Sequence, residues 1–134
     1  MPRLPRHAEA DIWARFTVMG AGELPVDRHD NKSGKLVRDR IPQIIREDGA
    51  EPITYTAGPQ EYRDRLRDKL CEEAAEVWEA GDDKAPEELA DVLEVVHALA
   101  ADLGIDTAQL EKIRQAKAIE RGGFAERIVW TGNR

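Results

Sequence analysis

The sequence predicts an all-α protein, a four-helix bundle, and three observations indicate this class. Hydrophobic residues recur every three to four positions over 60–80 and 86–103, which is the spacing of one helix face. Glycine follows each of these segments, at Gly81 and Gly104, and Pro86 suits the first turn of the second. Charged residues make up 35% of the chain and hydrophobic residues 41%, a balance that favours a helix-rich globule.

The chain of 134 residues suits one domain preceded by an extension. Residues 1–33 mix proline, glycine and charge without a sustained period, so they are predicted to be poorly structured or docked on the body formed by residues 34–134. Asp106 and Gln109 have the spacing of a capping box, which marks the start of the last helix. The predicted helices cover 42–49, 60–80, 86–103 and 107–121. Two β-prone segments, 53–56 and 127–130, leave room for two short peripheral strands.

Charge and cysteine content exclude several classes of protein. A net charge of -7 argues against nonspecific binding to nucleic acid or to an anionic membrane. Cys71 is the single cysteine, which excludes an intrachain disulfide and a zinc site built from several cysteines. The sequence has no recognisable signal peptide and no membrane-spanning run. Together these features predict a cytoplasmic protein.

Two acidic blocks organise the chain, one with the pattern Glu-Glu-x-x-Glu and one, on the next predicted helix, with Glu-x-x-Asp. Residues three apart lie about one turn apart on the same helix face, so each block presents a carboxylate pair. Helical phase places Glu73 at the border of one apolar stripe, with Glu76 next outward. It places Glu88 within the second stripe and Asp91 at its edge. The stripes are Leu66, Leu70, Ala74 and Val77, and Val92, Val95, Val96 and Leu99.

Carboxylates gathered at a helix interface require a cation or a large rise in pKa, because like charges repel strongly once solvent is withdrawn. Hard oxygen ligands favour Mg²⁺, with Mn²⁺ as an alternative. An acidic ridge facing water is the other interpretation of the same residues.

Basic residues near these blocks are candidates for holding the phosphate oxygens of an anionic ligand. They are Lys35, Arg38, Arg40 and Lys69. The first three cluster just before a predicted helix start, and Lys69 precedes Glu73 by one turn. Lys117 and Arg121 share a face of the last helix and form a second basic edge. Ordinary surface charges and intrahelical ion pairs are the alternative interpretation.

The acidic blocks, together with the segments Lys-Leu-Val-Arg-Asp-Arg-Ile-Pro at 35–42 and Lys-Ala-Ile-Glu-Arg-Gly-Gly-Phe at 117–124, resemble the all-α nucleoside triphosphate pyrophosphohydrolases. The two flanking segments also look like the small, single-domain MazG-like branch related to phosphoribosyl-ATP pyrophosphatase, and the resemblance covers roughly residues 34–131. It implies a MazG-like four-helix fold and hydrolysis of a nucleoside triphosphate to the monophosphate and pyrophosphate. It also implies a homodimer or homotetramer whose sites are completed by neighbouring subunits.

The resemblance also implies roles for individual residues. The implied metal ligands, for Mg²⁺, are Glu73, Glu76, Glu88 and Asp91. The catalytic candidates are Glu72, Glu73 and Glu76, where Glu72 would join a second metal or orient water. Lys117 and Arg121 match a family region of basic residues used on phosphates, with Lys69 as a further candidate. The chemistry fits, because a metal that bridges phosphates offsets their developing negative charge.

The motif leaves three questions open. It does not separate a nucleotide-pool house-cleaning enzyme from a phosphoribosyl-ATP pyrophosphatase, since both would share it. A non-catalytic helical module that binds nucleotide or another protein is a further alternative. The group that stacks on the base is open among Trp78, Tyr55, Phe124 and Trp130.

Overall fold

The computed structural model describes residues 34–134, which form helices and no strand. The helices are α1 (Ile41–Glu47), α2 (Pro59–Glu79), α3 (Ala85–Asp102) and α4 (Thr107–Arg121). The all-α prediction is therefore confirmed, and the helix boundaries agree with the predicted ones to within two residues. The predicted N-terminal extension lies outside the described residues. No helix in the described part of the chain is long and apolar enough to cross a bilayer.

Local sequence accounts for the helix boundaries. Proline occupies the first turn of α1, α2 and α3, where its missing N–H costs nothing. Asp106 and Gln109 form the predicted capping box on α4: the Gln109 amide donates to Asp106 Oδ1 at 2.8 Å, and the Asp106 amide donates to Gln109 Oε1 at 2.9 Å. α4 ends at Gly122, whose φ of 82° lies in the region that favours glycine.

The two predicted strands are wrong. Residues 53–56 and 127–130 have no regular structure, and Ile53 is fully exposed. β-branched residues favour a strand only where a neighbouring strand and a buried face exist, and a two-stranded ribbon alone is marginal. Local contacts hold these segments instead. The Tyr55 hydroxyl donates to Glu61 on α2, and the Trp130 indole donates to the Gly132 carbonyl at 3.1 Å.

The packing of α2 against α3 is the main tertiary contact among the described helices, and α4 touches α3 more lightly. An ion pair between Arg63 Nε and Asp102 Oδ2, at 2.7 Å, joins the start of α2 to the end of α3. The short connection at residues 80–84 makes the two helices an antiparallel pair. Carboxylates near the end of α2 therefore lie beside carboxylates near the start of α3.

The core of the described residues is small and rich in charge. Its buried hydrophobic residues are Leu66, Val95 and Ala100, and its buried charged residues are Arg65, Asp68, Glu72 and Glu73. The predicted apolar stripes are confirmed at Leu66 and Val95, but the placement of Ala74 in the stripe is wrong, because Ala74 is exposed. Ala74 lies on a part of α2 that no other described helix covers. Apolar packing alone therefore provides a modest share of the stability.

Arg65 ties the irregular segments to α2. Its side chain is 4% exposed, and its Nε donates to Glu61 Oε2 at 2.7 Å. Its two terminal nitrogens donate to the Gly34 carbonyl at 2.9 Å and to the Tyr55 hydroxyl at 3.3 Å. One guanidinium therefore holds the start of the described chain and the α1–α2 connection against the same helix.

We expect Arg65→Met to lower the free energy of unfolding by about 2–4 kcal/mol, because the substitution removes a buried guanidinium together with its hydrogen bonds to Glu61, Gly34 and Tyr55. Urea unfolding followed by circular dichroism measures the change. The matched control is Arg67→Met on the same helix, where the ion pair with Asp64 is long, at 3.9 Å, and more exposed. A decrease in the free energy of unfolding for Arg65→Met no larger than for the control would contradict the proposal that Arg65 holds these segments against α2.

Candidate metal centre

Carboxylates from the two long helices converge at one place. Glu73 and Glu76 extend from α2, Glu88 and Asp91 extend from α3, and one oxygen of each lies within 4.8 Å of the others. We call these residues the acidic cluster. The convergence follows from the one-turn spacing within each pair and from the antiparallel packing of the two helices. The cluster contains no histidine or cysteine.

Burial within the cluster follows helical phase on α2, but on α3 Glu88 and Asp91 are half-buried alike, although phase placed Glu88 within the apolar stripe. Glu73 is 7% exposed, Glu88 and Asp91 are half-buried, and Glu76 is exposed. Two buried oxygens, Glu73 Oε2 and Glu88 Oε2, have no hydrogen-bond partner among the described residues. Buried carboxylate oxygens normally have a hydrogen-bond partner or a bound cation, so these two oxygens are available as ligand atoms.

The electrostatics of the cluster point the same way. Burial is the largest cause of a raised pKa at Glu73, and the neighbouring Glu76 carboxyl raises it further. The Lys69 ammonium, 3.4 Å from Glu73 Oε1, acts in the opposite direction and does not cancel the rise. Burial and the neighbouring carboxyl therefore make the charged form of Glu73 unfavourable where no cation is bound.

Glu72 lies beside the acidic cluster, not in it. Lys35 Nζ is 3.5 Å from Glu72 Oε1, and Lys69 Nζ is 3.3 Å from Glu72 Oε2. With only 8% of its surface exposed, Glu72 is held between two ammonium groups. This arrangement makes Glu72 an anchor for Lys35 and Lys69 more than a ligand for the same ion as the other acids.

A cleft of about 430 Å³ opens next to the cluster. Glu73 and Asp91 line it on the acidic side, and Arg38, Arg40 and Lys69 supply positive charge to its wall. Anionic and cationic groups thus face one cavity, which suits a ligand that carries phosphates together with a cation.

Tyr62 and Glu94 also line this cleft, and sequence reasoning did not single them out as site residues. Glu94 lies three residues after Asp91, so the same one-turn spacing that identified the cluster could have indicated it. Tyr62 is the aromatic residue among the lining residues, whereas Tyr55 and Trp78, two of the predicted stacking candidates, lie outside the lining.

The cations predicted on the last helix lie elsewhere. Lys117 and Arg121 are exposed on α4 and do not line the cleft. The other two predicted stacking candidates, Phe124 and Trp130, follow α4 and are also outside the lining. Within one copy of the described chain, these residues are not brought together with the acidic cluster.

We expect Glu73→Gln to stabilise the metal-free protein by about 1 kcal/mol at neutral pH, because it removes one buried charge from a group of like charges. The sign follows from the raised pKa. The folded state binds the Glu73 proton more tightly than the unfolded state does. The contribution of Glu73 to the free energy of unfolding therefore falls as pH rises above 4.5, the ordinary pKa of a glutamate. Thermal melting in chelator between pH 4 and 8 measures the difference between wild type and variant, with Glu126→Gln as an exposed control. A destabilised variant at neutral pH would contradict the unfavourable burial of the Glu73 charge.

Comparison with known proteins identifies no family. No family model and no solved structure matches the chain. A stretch of 43 residues is 49% identical to an uncharacterized protein of Mycolicibacterium smegmatis, and covers 32% of this chain. The matched stretch spans 44% of that protein, less than half of its length. The acidic cluster and the cleft beside it are therefore the features of this chain that indicate a function.

Proposed function

We propose that the protein is a Mg²⁺-dependent nucleoside triphosphate pyrophosphohydrolase that releases a nucleoside monophosphate and pyrophosphate and serves in house-cleaning of the nucleotide pool. The observation that supports this proposal most is the convergence of Glu73, Glu76, Glu88 and Asp91, with one oxygen of each within 4.8 Å of the others. The resemblance of the acidic blocks and their flanking segments to the MazG-like pyrophosphohydrolases points to the same reaction.

The donor set fits a hard divalent cation. Four carboxylates supply only oxygen ligands, which Mg²⁺ and Mn²⁺ prefer. Two of the oxygens are buried and unpaired, so a cation would satisfy groups that the rest of the described chain leaves without partners. Solvent reaches the exposed Glu76, which provides a route for the ion and its remaining waters.

The residues around the cluster suit a phosphate-bearing substrate. A bound ion would offset the charge of the phosphates and make water a better nucleophile. Arg38, Arg40 and Lys69 line the cleft and would contact phosphate oxygens. Glu72 would act as a positioning residue, because it holds Lys69 beside Glu73. Tyr62 would supply an aromatic surface to the base or sugar.

A homodimer or homotetramer is part of the proposal. Large hydrophobic side chains are exposed on both long helices, among them Trp78 at 72%, Leu89 at 55% and Leu93 at 52%. Leu89 and Leu93 are one turn apart and share a face of α3. A second copy covering this face would enlarge a small core, and it would provide a route by which Lys117 and Arg121 reach a neighbouring cleft.

A panel of nucleotides tests the proposed reaction. The panel contains ordinary and non-standard nucleoside triphosphates, their deoxy forms and phosphoribosyl-ATP, each incubated with the full chain and Mg²⁺. We expect release of pyrophosphate, and not of orthophosphate, from at least one triphosphate. Release from phosphoribosyl-ATP alone would support the histidine-pathway alternative. Failure to release pyrophosphate from any member would contradict a catalytic function and favour a nucleotide-binding or interaction module.

A further inference from the structure

Arg38 makes a direct contact with the acidic cluster. Its Nη2 donates to Asp91 Oδ1 at 2.7 Å, across 53 positions of sequence. Arg38 precedes α1 in a stretch without regular structure, and its side chain is 56% exposed. The guanidinium therefore pairs with one oxygen of a carboxylate that the proposed metal centre requires, and it does so from a segment outside the helices.

This contact is easily exchanged. Both partners are substantially exposed, with 40% of the Asp91 side chain accessible, and ion pairs of this kind contribute little to stability. A divalent cation held by the other three carboxylates would compete directly with Arg38 for the charge of Asp91. The cation would win this competition, because it carries twice the charge and satisfies several carboxylates at once.

The released guanidinium has a second partner available. Arg38 lines the cleft beside the cluster, where a phosphate-bearing ligand would lie. A guanidinium has a planar arrangement of donors that matches carboxylate and phosphate oxygens alike. The same side chain can therefore neutralise Asp91 before the cation binds and contact phosphate afterwards.

We infer that Arg38 is an exchangeable counterion that sets the order of binding: divalent cation first, phosphate-bearing ligand second. Resting on the proposed metal centre, the inference assigns Arg38 opposite effects on the two ligands. In the metal-free protein Arg38 opposes cation binding. In the metal-loaded protein it favours the anionic ligand.

Other cations near the cluster do not share this position. Lys69 is 16% exposed and is held between Glu72 and Glu73, so it is less free to move. Lys35 pairs with Glu72, outside the cluster. Arg40 lines the same cleft, but no hydrogen bond or ion pair joins its guanidinium to a cluster carboxylate within residues 34–134. Arg40 is therefore the matched control for Arg38.

Binding of Mn²⁺ alone to the full chain tests the first half of the inference. Electron paramagnetic resonance of free Mn²⁺ gives the dissociation constant for wild type, Arg38→Gln and Arg40→Gln. We expect Arg38→Gln to bind Mn²⁺ about fivefold more tightly than wild type, because a competing ion pair is lost. Arg40→Gln also removes one positive charge from the cleft, but it breaks no ion pair with the acidic cluster. Because salt screens the remaining long-range effect, we expect its Mn²⁺ dissociation constant to stay within about twofold of wild type.

Binding of inorganic pyrophosphate at saturating Mg²⁺, measured by calorimetry, tests the second half. We expect Arg38→Gln to weaken pyrophosphate binding by about tenfold or more, as for loss of a charged hydrogen bond. Weaker Mn²⁺ binding in Arg38→Gln, or equal tightening in both variants, would overturn the inference, as would unchanged pyrophosphate affinity.

Glu73→Gln separates this inference from the proposed metal centre. If wild type binds Mn²⁺ and Glu73→Gln does not, the centre is supported, and equal Mn²⁺ affinity in wild type and Arg38→Gln then overturns the role of Arg38 alone. If wild type binds no Mn²⁺, both the centre and the role of Arg38 are overturned.

Discussion

Replacing Glu73 with glutamine or Asp91 with asparagine is expected to lower pyrophosphate release at least about 100-fold, equivalent to about 2.7 kcal/mol of transition-state stabilisation. Each substitution keeps the shape of the side chain and removes one charged ligand from the four that converge. Because the ion would be the main source of charge compensation for the phosphates, weakening its site affects the reaction more than it affects folding. Initial rates with the best nucleotide of the panel measure the effect.

Two controls make this result specific to the cluster. Asp82→Asn and Glu126→Gln make the same chemical changes at exposed positions outside the cluster. We expect both to retain activity within about twofold of wild type, as is usual for surface substitutions. Equal losses in the cluster variants and the controls, or full activity in Glu73→Gln and Asp91→Asn, would contradict the proposed role of the acids.

The second large effect is expected on assembly. Replacing both Leu89 and Leu93 with glutamate should convert the proposed oligomer to a monomer, raising its dissociation constant at least about 100-fold. Burial of each leucine side chain would contribute about 1.5–3 kcal/mol to association, and the double variant loses both contributions. Each new carboxylate would also be placed in an apolar interface, which is unfavourable. Light scattering coupled to size-exclusion chromatography measures the mass. The control is Ile53→Glu, which changes an equally apolar but fully exposed side chain outside the helices.

Two outcomes would contradict the assembly proposal. A wild-type chain that is monomeric at every accessible concentration would remove it directly. A double variant with the mass of wild type would show that this face of α3 is not the interface. Loss of activity together with loss of the oligomer would support completion of the site by a neighbouring subunit.

The helices were predictable because their signals are local. The segments that became α2 and α3 carry hydrophobic residues at helical spacing, and the capping box at Asp106 and Gln109 fixes the start of α4. The strands failed because β-propensity at Ile53 depends on a partner strand, which is a property of the whole fold. The prediction that Ala74 lies in a buried stripe was wrong for a related reason. Helical phase gives the direction of a side chain but does not show whether another helix covers it.

The cluster was predictable to the extent that it depends on two helices joined by a short connection. The one-turn spacings and the antiparallel pairing suffice to bring the acids together. The contact between Arg38 and Asp91 was not predictable, because it depends on the path of an irregular segment. The position of Tyr62 in the cleft depends likewise on how that segment and α2 enclose a cavity.

The most direct test of the metal centre is a Mg²⁺ titration followed by thermal melting. A cation that binds only the folded state must raise the free energy of unfolding, by about 2.7 kcal/mol at a hundredfold excess over its dissociation constant. For a domain of this size, that increase raises the melting temperature by roughly 10 °C. We predict a saturating rise in wild type and in Asp82→Asn, and little or no rise in Asp91→Asn. A wild-type melting temperature that Mg²⁺ leaves unchanged, or an equal rise in Asp91→Asn, would contradict a shared ion at Glu73, Glu76, Glu88 and Asp91.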